Sequence, residues 1–185
     1  GIINSIEISP HDPGKVYITL MRYKFGDLTP YIYRSANYGK SWSRLNRGMP
    51  NNMFARVVRE DPAREGLLYA GTENGIYISL DDGRNWQPFQ LNLPTVPITD
   101  LTIRNNDLVA STQGRSFWIL DDLTPLHQYS NRIKKSKMHF FNPRPSYRVS
   151  GSSSPSKTIG QNPPNGAVFH FYLKDKLIDL SLIHI

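Results

Sequence analysis

Chemistry is conceivable at a few places in this 185-residue sequence. Asp100, Asp107 and the pair Asp121-Asp122 are carboxylates of the kind glycoside hydrolysis uses in twos, at a controlled separation across a cleft. Spacing along the chain brings no two of them to that geometry, so no catalytic residue is assigned. Sialidase chemistry needs an arginine cluster and a tyrosine nucleophile, and the many Arg and Tyr form no such pattern. Arg115 and Trp118, in Gly114-Arg115-Ser116-Phe117-Trp118, form a candidate ligand surface, because an indole stacks on a sugar face and a guanidinium binds polar groups. The competing reading packs Trp118 between sheets and pairs Arg115 with a neighbouring acid. His11, His127, His139, His170 and His184 form no ligand cluster, and no metal or cofactor is expected. Gly71-Thr72-Glu73-Asn74-Gly75 reads as a hairpin turn, not a phosphate loop.

The formal charge is +7, and its distribution is uneven. Leu123 to Lys174 contains no acid, while Arg132, Lys134, Lys135, Lys137, Arg144, Arg148, Lys157 and Lys174 all fall within it. The run Arg132–Lys137 could hold phosphate or nucleic acid, but no recognition fold accompanies it, and nucleic acid is set aside. No Cys is present, which excludes disulfides and thiolate metal sites. No apolar run approaches the ~20 residues of a membrane helix.

These residues need elements to position them, and the sequence supplies a repeat. Ser35-Ala36-Asn37-Tyr38-Gly39-Lys40-Ser41-Trp42 returns as Ser79-Leu80-Asp81-Asp82-Gly83-Arg84-Asn85-Trp86, with Ser, Gly and Trp each 44 positions on. Each copy follows short β-branched and aromatic runs: Ile6–Ile8, Val16–Leu20 and Tyr31–Arg34 before the first, and Val57-Val58, Leu67–Ala70 and Ile76–Ile78 before the second. A fourth short run follows each Trp. A third unit begins at Ile98–Ile103 and continues through Leu108–Thr112 and Ser116–Ile119. No segment holds a helical period. Four strands per unit of about 40–50 residues is the pattern of a propeller blade, and a two-sheet sandwich gives no reason for the echo.

Within the repeated motif each residue type has a folding task. The Asp (Asn37 in the first copy, Asp81 in the second) accepts backbone N–H bonds in a turn, the Ser hydroxyl bonds the neighbouring loop, Gly39 and Gly83 allow positive φ, and Trp42 and Trp86 offer apolar faces to packing. Ser35, Asn37, Gly39, Trp42, Ser79, Asp81, Gly83 and Trp86 are accordingly read as structural. Trp42 and Trp86 are expected in equivalent places of successive sheets. In the third unit only the acidic pair Asp121-Asp122 survives, with Ile119, Leu123 and Leu126 at the Ser, Gly and Trp positions, so its turn is expected to differ.

The repeated motif resembles the Asp-box, Ser-x-Asp-x-Gly-x-x-Trp. Residues 1 to 179 as a whole are similar to the large bacterial sortilin-like Asp-box (BNR repeat) propeller proteins often labelled glycosyl hydrolases. The order of Leu93–Leu101, Ser111–Asp122, Phe141–Arg148 and Gly160–Ala167 carries this likeness. The resemblance implies a multi-bladed propeller followed by a β-sandwich, with the motif on the outer rim of the blades. It also implies export to the periplasm or beyond, and an array of which this chain is a fragment. The expectation is an all-β chain with about two and a half to three four-stranded blades over residues 1–128. A basic Pro/Ser/Gly-rich linker is expected over 129–165, and the first strand of a truncated β-sandwich within 166–179, at Ala167–Leu173. Residues 180–185 resemble the translated end of a sequencing adapter. The expected function is a non-catalytic binding or scaffold module that takes a glycan or protein ligand through the propeller channel and contacts the remaining blades. The alternative is the C-terminal part of a glycoside hydrolase propeller, sialidase- or xyloglucanase-like, acting on extracellular glycans.

Overall fold

A computed structural model describes residues 1–146 and 166–175 of the chain. These fall into two compact units, one from Gly1 to Leu120 and one from Asp121 onward.

The first unit is built of antiparallel sheets laid out in chain order. β1 (Ile2–Ile8), β2 (Val16–Arg22), β3 (Asp27–Ser35) and β4 (Ser43–Arg44) form the first sheet in that order. β5 (Ala55–Glu60), β6 (Leu68–Thr72), β7 (Gly75–Ser79) and β8 (Gln87–Pro88) repeat the pattern. β9 (Ile98–Arg104), β10 (Asp107–Thr112) and β11 (Phe117–Leu120) make a third sheet of three strands. Each sheet is a meander of neighbouring strands, the expected blade. The registers of the first two match residue by residue: Ile8 faces Val16 and Val16 faces Ser35, as Glu60 faces Leu68 and Leu68 faces Ser79. The first strands β1, β5 and β9 pack on one another in sequence, which marks the inner side of the array.

The core lies between the sheets. Tyr17, Ile32, Leu45 and Met49 of the first blade are buried against Ala55, Val58, Leu68, Ala70 and Trp86 of the second. The burial follows strand alternation: along β2, Tyr17, Thr19 and Met21 are buried while the residues between them are not. Two contacts require glycine. Gly83 has φ +79 in the repeated turn, and a Cβ there would meet Leu45 of the blade before. Gly48 has φ +92, and a Cβ there would overlap the backbone carbonyl of Trp86.

The second unit contains α1 (Thr124–Gln128), α2 (Asn131–Lys135), β12 (Met138–Phe140) and β13 (Phe171–Leu173). β12 and β13 pair antiparallel, Met138 opposite Leu173 and Phe140 opposite Phe171. The span read as linker thus carries a helix and a paired strand. Ser130 caps α2 by accepting from the Ile133 N–H, and Ile133 is buried, so the basic run is one helical turn anchored on a single apolar residue. Five-residue helices are too short to show a period in sequence, which is why neither was legible. The strand at the end of the chain pairs over 171–173, shorter than the 167–173 expected, because its partner has three residues. Residues 147–165 and 176–185, including the remainder of the linker and the adapter-like end, lie outside the described residues.

Candidate functional site

The repeated motif forms the same turn twice. Ser35 Oγ accepts from the Gly39 N–H at 2.9 Å and donates to Asn37 Oδ1 at 3.0 Å. Ser79 Oγ accepts from the Gly83 N–H at 2.9 Å and donates to Asp81 Oδ1 at 2.9 Å. Asn37 Oδ1 then accepts from the Ser41 N–H at 2.9 Å, as Asp81 Oδ1 does from the Asn85 N–H at 2.8 Å. Tyr38 and Asp82 both take positive φ, +57 and +62. Burial raises the Asp81 carboxyl, but hydrogen bonds from Asn85 and Ser79 outweigh this and hold it below the usual carboxylate range. Both Asp81 oxygens are engaged inside the turn, which leaves it no oxygen aimed at a ligand.

The two tryptophans of the motif differ. Trp86 is 4% exposed, and its indole N–H donates to the Leu45 carbonyl of the preceding blade at 3.0 Å. Trp42 is 43% exposed, and its indole N–H turns back to the Gly39 carbonyl of its own turn at 3.1 Å. The local place is equivalent; the surroundings are not.

Strand direction separates two ends of the array. The repeated turns lie at one end. At the other lie the β2–β3 loop, the connections into β5 and β9, the β6–β7 turn and the β10–β11 loop. This second end carries a cluster of aromatic and charged residues. Tyr23 stacks on Phe54 with centroids 5.1 Å apart, and the Arg56 guanidinium lies 5.2 Å over the same ring while pairing with Glu73. Arg115 is exposed in the β10–β11 loop at this end, and its carbonyl accepts from the Trp118 indole at 3.0 Å. Trp118 lines a groove of about 50 Å³ with Ile76, Phe89, Leu91 and Leu93, a space of water size rather than sugar size.

On the inner strands Arg59 of β5 ties three blades together. It pairs with Glu7 of β1 at 3.3 Å and with Asp100 of β9 at 2.7 Å, and donates to the Leu101 carbonyl at 2.8 Å and to Ser5 Oγ at 3.2 Å. Burial raises the Glu7 carboxyl and outweighs the lowering by Arg59. Of the carboxylates singled out from sequence, Asp100 is therefore in an ion-paired cluster. Asp107 sits beside the β9–β10 turn. Asp121 and Asp122 belong to the second unit, where with Arg144, Ser146, Val168 and His170 they line a cavity of about 190 Å³, and Asp122 Oδ2 lies 3.3 Å from His170 Nε2. Glu7 and Arg59 were not anticipated. They occupy the same register place, opposite Tyr17 and Tyr69, but loops of unequal length remove them from the 44-residue period. Among the described residues no group of His, Asp and Glu could hold a metal ion, and no helix is long and apolar enough to cross a membrane.

No protein-family model and no curated protein matches the sequence. Among solved structures the chain is similar to an ancestral GH74 enzyme, with TM-score 0.51 and 19% identity over 62% of this chain. It is similar also to the GH74 enzyme of Niastella koreensis, with TM-score 0.51 and 14% identity over 65% of this chain. YCF48 bound to D1 peptide follows at TM-score 0.43 and 20% identity, over 64% of this chain and 36% of that one. The fold is a partial β-propeller. The chain spans 14% and 21% of the two GH74 proteins. At these identities the likeness extends to the fold and no further.

Proposed function

We propose that this partial propeller is a non-catalytic binding or scaffolding module of the sortilin-like Asp-box type, from an exported bacterial protein, with a glycan or protein ligand. The observation that carries this reading is the Glu7–Arg59–Asp100 cluster. Two carboxylates from different blades face the inner strands, and both are spent on one guanidinium rather than held apart across a cleft. The two repeated turns support it further, since their polar atoms are consumed in folding. Assignment to the Asp-box type rests on the turn pattern, and export on the resemblance alone.

One observation favours glycoside hydrolysis as a second reading. Glu7 and Asp100 share the Arg59 guanidinium, and burial holds the Glu7 carboxyl above its ordinary range, as a general acid requires. Incubation of the protein with fluorogenic glycosides, alongside glycan and peptide arrays, decides between them. Binding without turnover is the expected result. Turnover that disappears in both Glu7→Gln and Asp100→Asn would overturn the non-catalytic reading.

A further inference from the structure

The three inner strands share an irregularity in their pairing. In β1, Ser5 faces Thr19 and Ile3 faces Leu20, and Asn4 between them has no strand partner. In β5, Val57 faces Gly71 and Ala55 faces Thr72, and Arg56 is the extra residue. In β9, Asp100 faces Ser111 and Ile98 faces Thr112, and Thr99 is left over. Counted along the second strands from Tyr17, Tyr69 and Val109, the bulge falls at the same step in each blade. A bulge takes its residue out of the ladder and re-aims its side chain, and bulges collect at barrel rims and beside active sites. These three lie at the end of the array that carries the aromatic cluster, where the chain enters β5 and β9.

The bulge side chains are polar, and their surroundings are held in place. The Asn4 amide and the Thr19 hydroxyl both donate to the Arg56 carbonyl, the latter at 2.9 Å. Ser5 and Asp100, the neighbours of the other two bulge residues, both bind Arg59. Arg56 Nε donates to Glu73 Oε1, and the Glu73 N–H donates to the Phe54 carbonyl at 3.3 Å. The Phe54 ring contacts both the Arg56 guanidinium and the Tyr23 ring. Among the described residues, the terminal nitrogens of Arg56 and Oε2 of Glu73 make no hydrogen bond. Asn4 and Thr99 are exposed and Arg56 is half-buried. Tyr23 is 43% exposed and Phe25 72% exposed, on one 3-10 turn.

We propose that Asn4, Arg56 and Thr99, with Glu73 and the Tyr23 turn, form a binding site for a neutral saccharide. A sugar presents hydroxyls that each donate and accept, and an apolar ring face. The Arg56–Glu73 pair offers donors and an acceptor side by side, and the Asn4 amide and Thr99 hydroxyl add one of each kind. The exposed aromatic rings offer a surface for the sugar's apolar face. The ligand is neutral because Glu73 already compensates Arg56: a uronate or sialic acid would meet a spent guanidinium and set its carboxylate against that of Glu73. An extended peptide is bound through a regular ladder, which the bulges interrupt. Such a site presupposes the binding-module reading and adds its ligand class and place. Arg115 and Trp118 are no part of it.

The full chain is screened on an array of neutral, sialylated and uronate-bearing oligosaccharides and of peptides. Binding confined to neutral saccharides is expected. Titration of the native chain with the best-bound neutral saccharide, followed by NMR, should shift the Arg56 Nε–H and the Thr99 amide and leave the Trp118 indole unmoved. Thr99→Val should weaken that binding roughly tenfold, the worth of about one hydrogen bond. Glu73→Gln should weaken it too and admit the matching uronate, because Arg56 is then uncompensated. Circular-dichroism melts confirm that both variants are folded, and the titration of the native chain needs neither. Binding of acidic saccharides or peptides in place of neutral ones, no saccharide binding at all, or shifts at Trp118 instead of Arg56 would overturn the proposal. Peptide binding alone would do so while leaving the binding-module reading intact. Turnover of a saccharide bound at Arg56 would overturn that reading and leave the site standing.

Discussion

Replacing each motif tryptophan by alanine measures what sheet-to-sheet docking is worth in this protein. The two residues share a turn, and both donate an indole hydrogen bond, so local terms cancel in the comparison. They differ in exposure, 43% for Trp42 against 4% for Trp86. An aromatic side chain presents roughly 150–250 Å² when free, so Trp86 keeps on the order of 80 Å² more surface from water, about 2 kcal/mol at ~25 cal/mol/Å². Removing Trp86 also opens a cavity among Leu45, Met49 and Leu68 and strands the Leu45 carbonyl. Trp86→Ala should therefore cost about 3–5 kcal/mol, and Trp42→Ala about 1–2 kcal/mol. Urea unfolding at low protein concentration, followed by circular dichroism with an unchanged m-value, gives both numbers. Equal losses in the two variants would refute the reasoning, because the blade-to-blade contact would then contribute nothing beyond the turn.

Asp81 has a depressed carboxyl in the fold, so the stability it contributes is present above its unfolded value near about 3.9 and is lost as pH falls through the folded value. Asp81→Asn should flatten the acid limb of the urea midpoint and cost less than ~1 kcal/mol at neutral pH, since Asn37 serves in the first turn; Asp81→Ala should cost about 1–2 kcal/mol. Gly48→Ala should lose more than about 2 kcal/mol, against about 1 kcal/mol for Gly114→Ala, because both have positive φ but only Gly48 lies against another backbone. Thermal melts of the two variants check the difference. Arg59→Met should cost about 2–3 kcal/mol by stranding the Leu101 carbonyl and leaving Glu7 without its cation. Carboxyl titration by NMR should show the Glu7 value rising further in that variant, since the guanidinium is what opposes burial there.

The residues from 35 to 42 and from 79 to 86 determined their own turns. The hydrogen bonds that Ser35, Asn37, Ser79 and Asp81 make through their side chains close within four positions, so residue type and spacing were enough to read the turn geometry, and the strands on either side followed from their β-branched and aromatic composition. The substitutions Ile119, Leu123 and Leu126 likewise signalled that the third unit departs: the chain enters α1 from Thr124 instead of making a fourth strand. What tertiary structure alone decided is everything that depends on one sheet docking on another. Glu7, Arg59 and Asp100 meet across three blades from distant positions in the chain, and no local pattern brings them together. The unequal roles of Trp42 and Trp86 have the same origin. Their local sequences call for the same conformation, and only the presence of a neighbouring sheet at one of them converts an exposed indole into a buried joint.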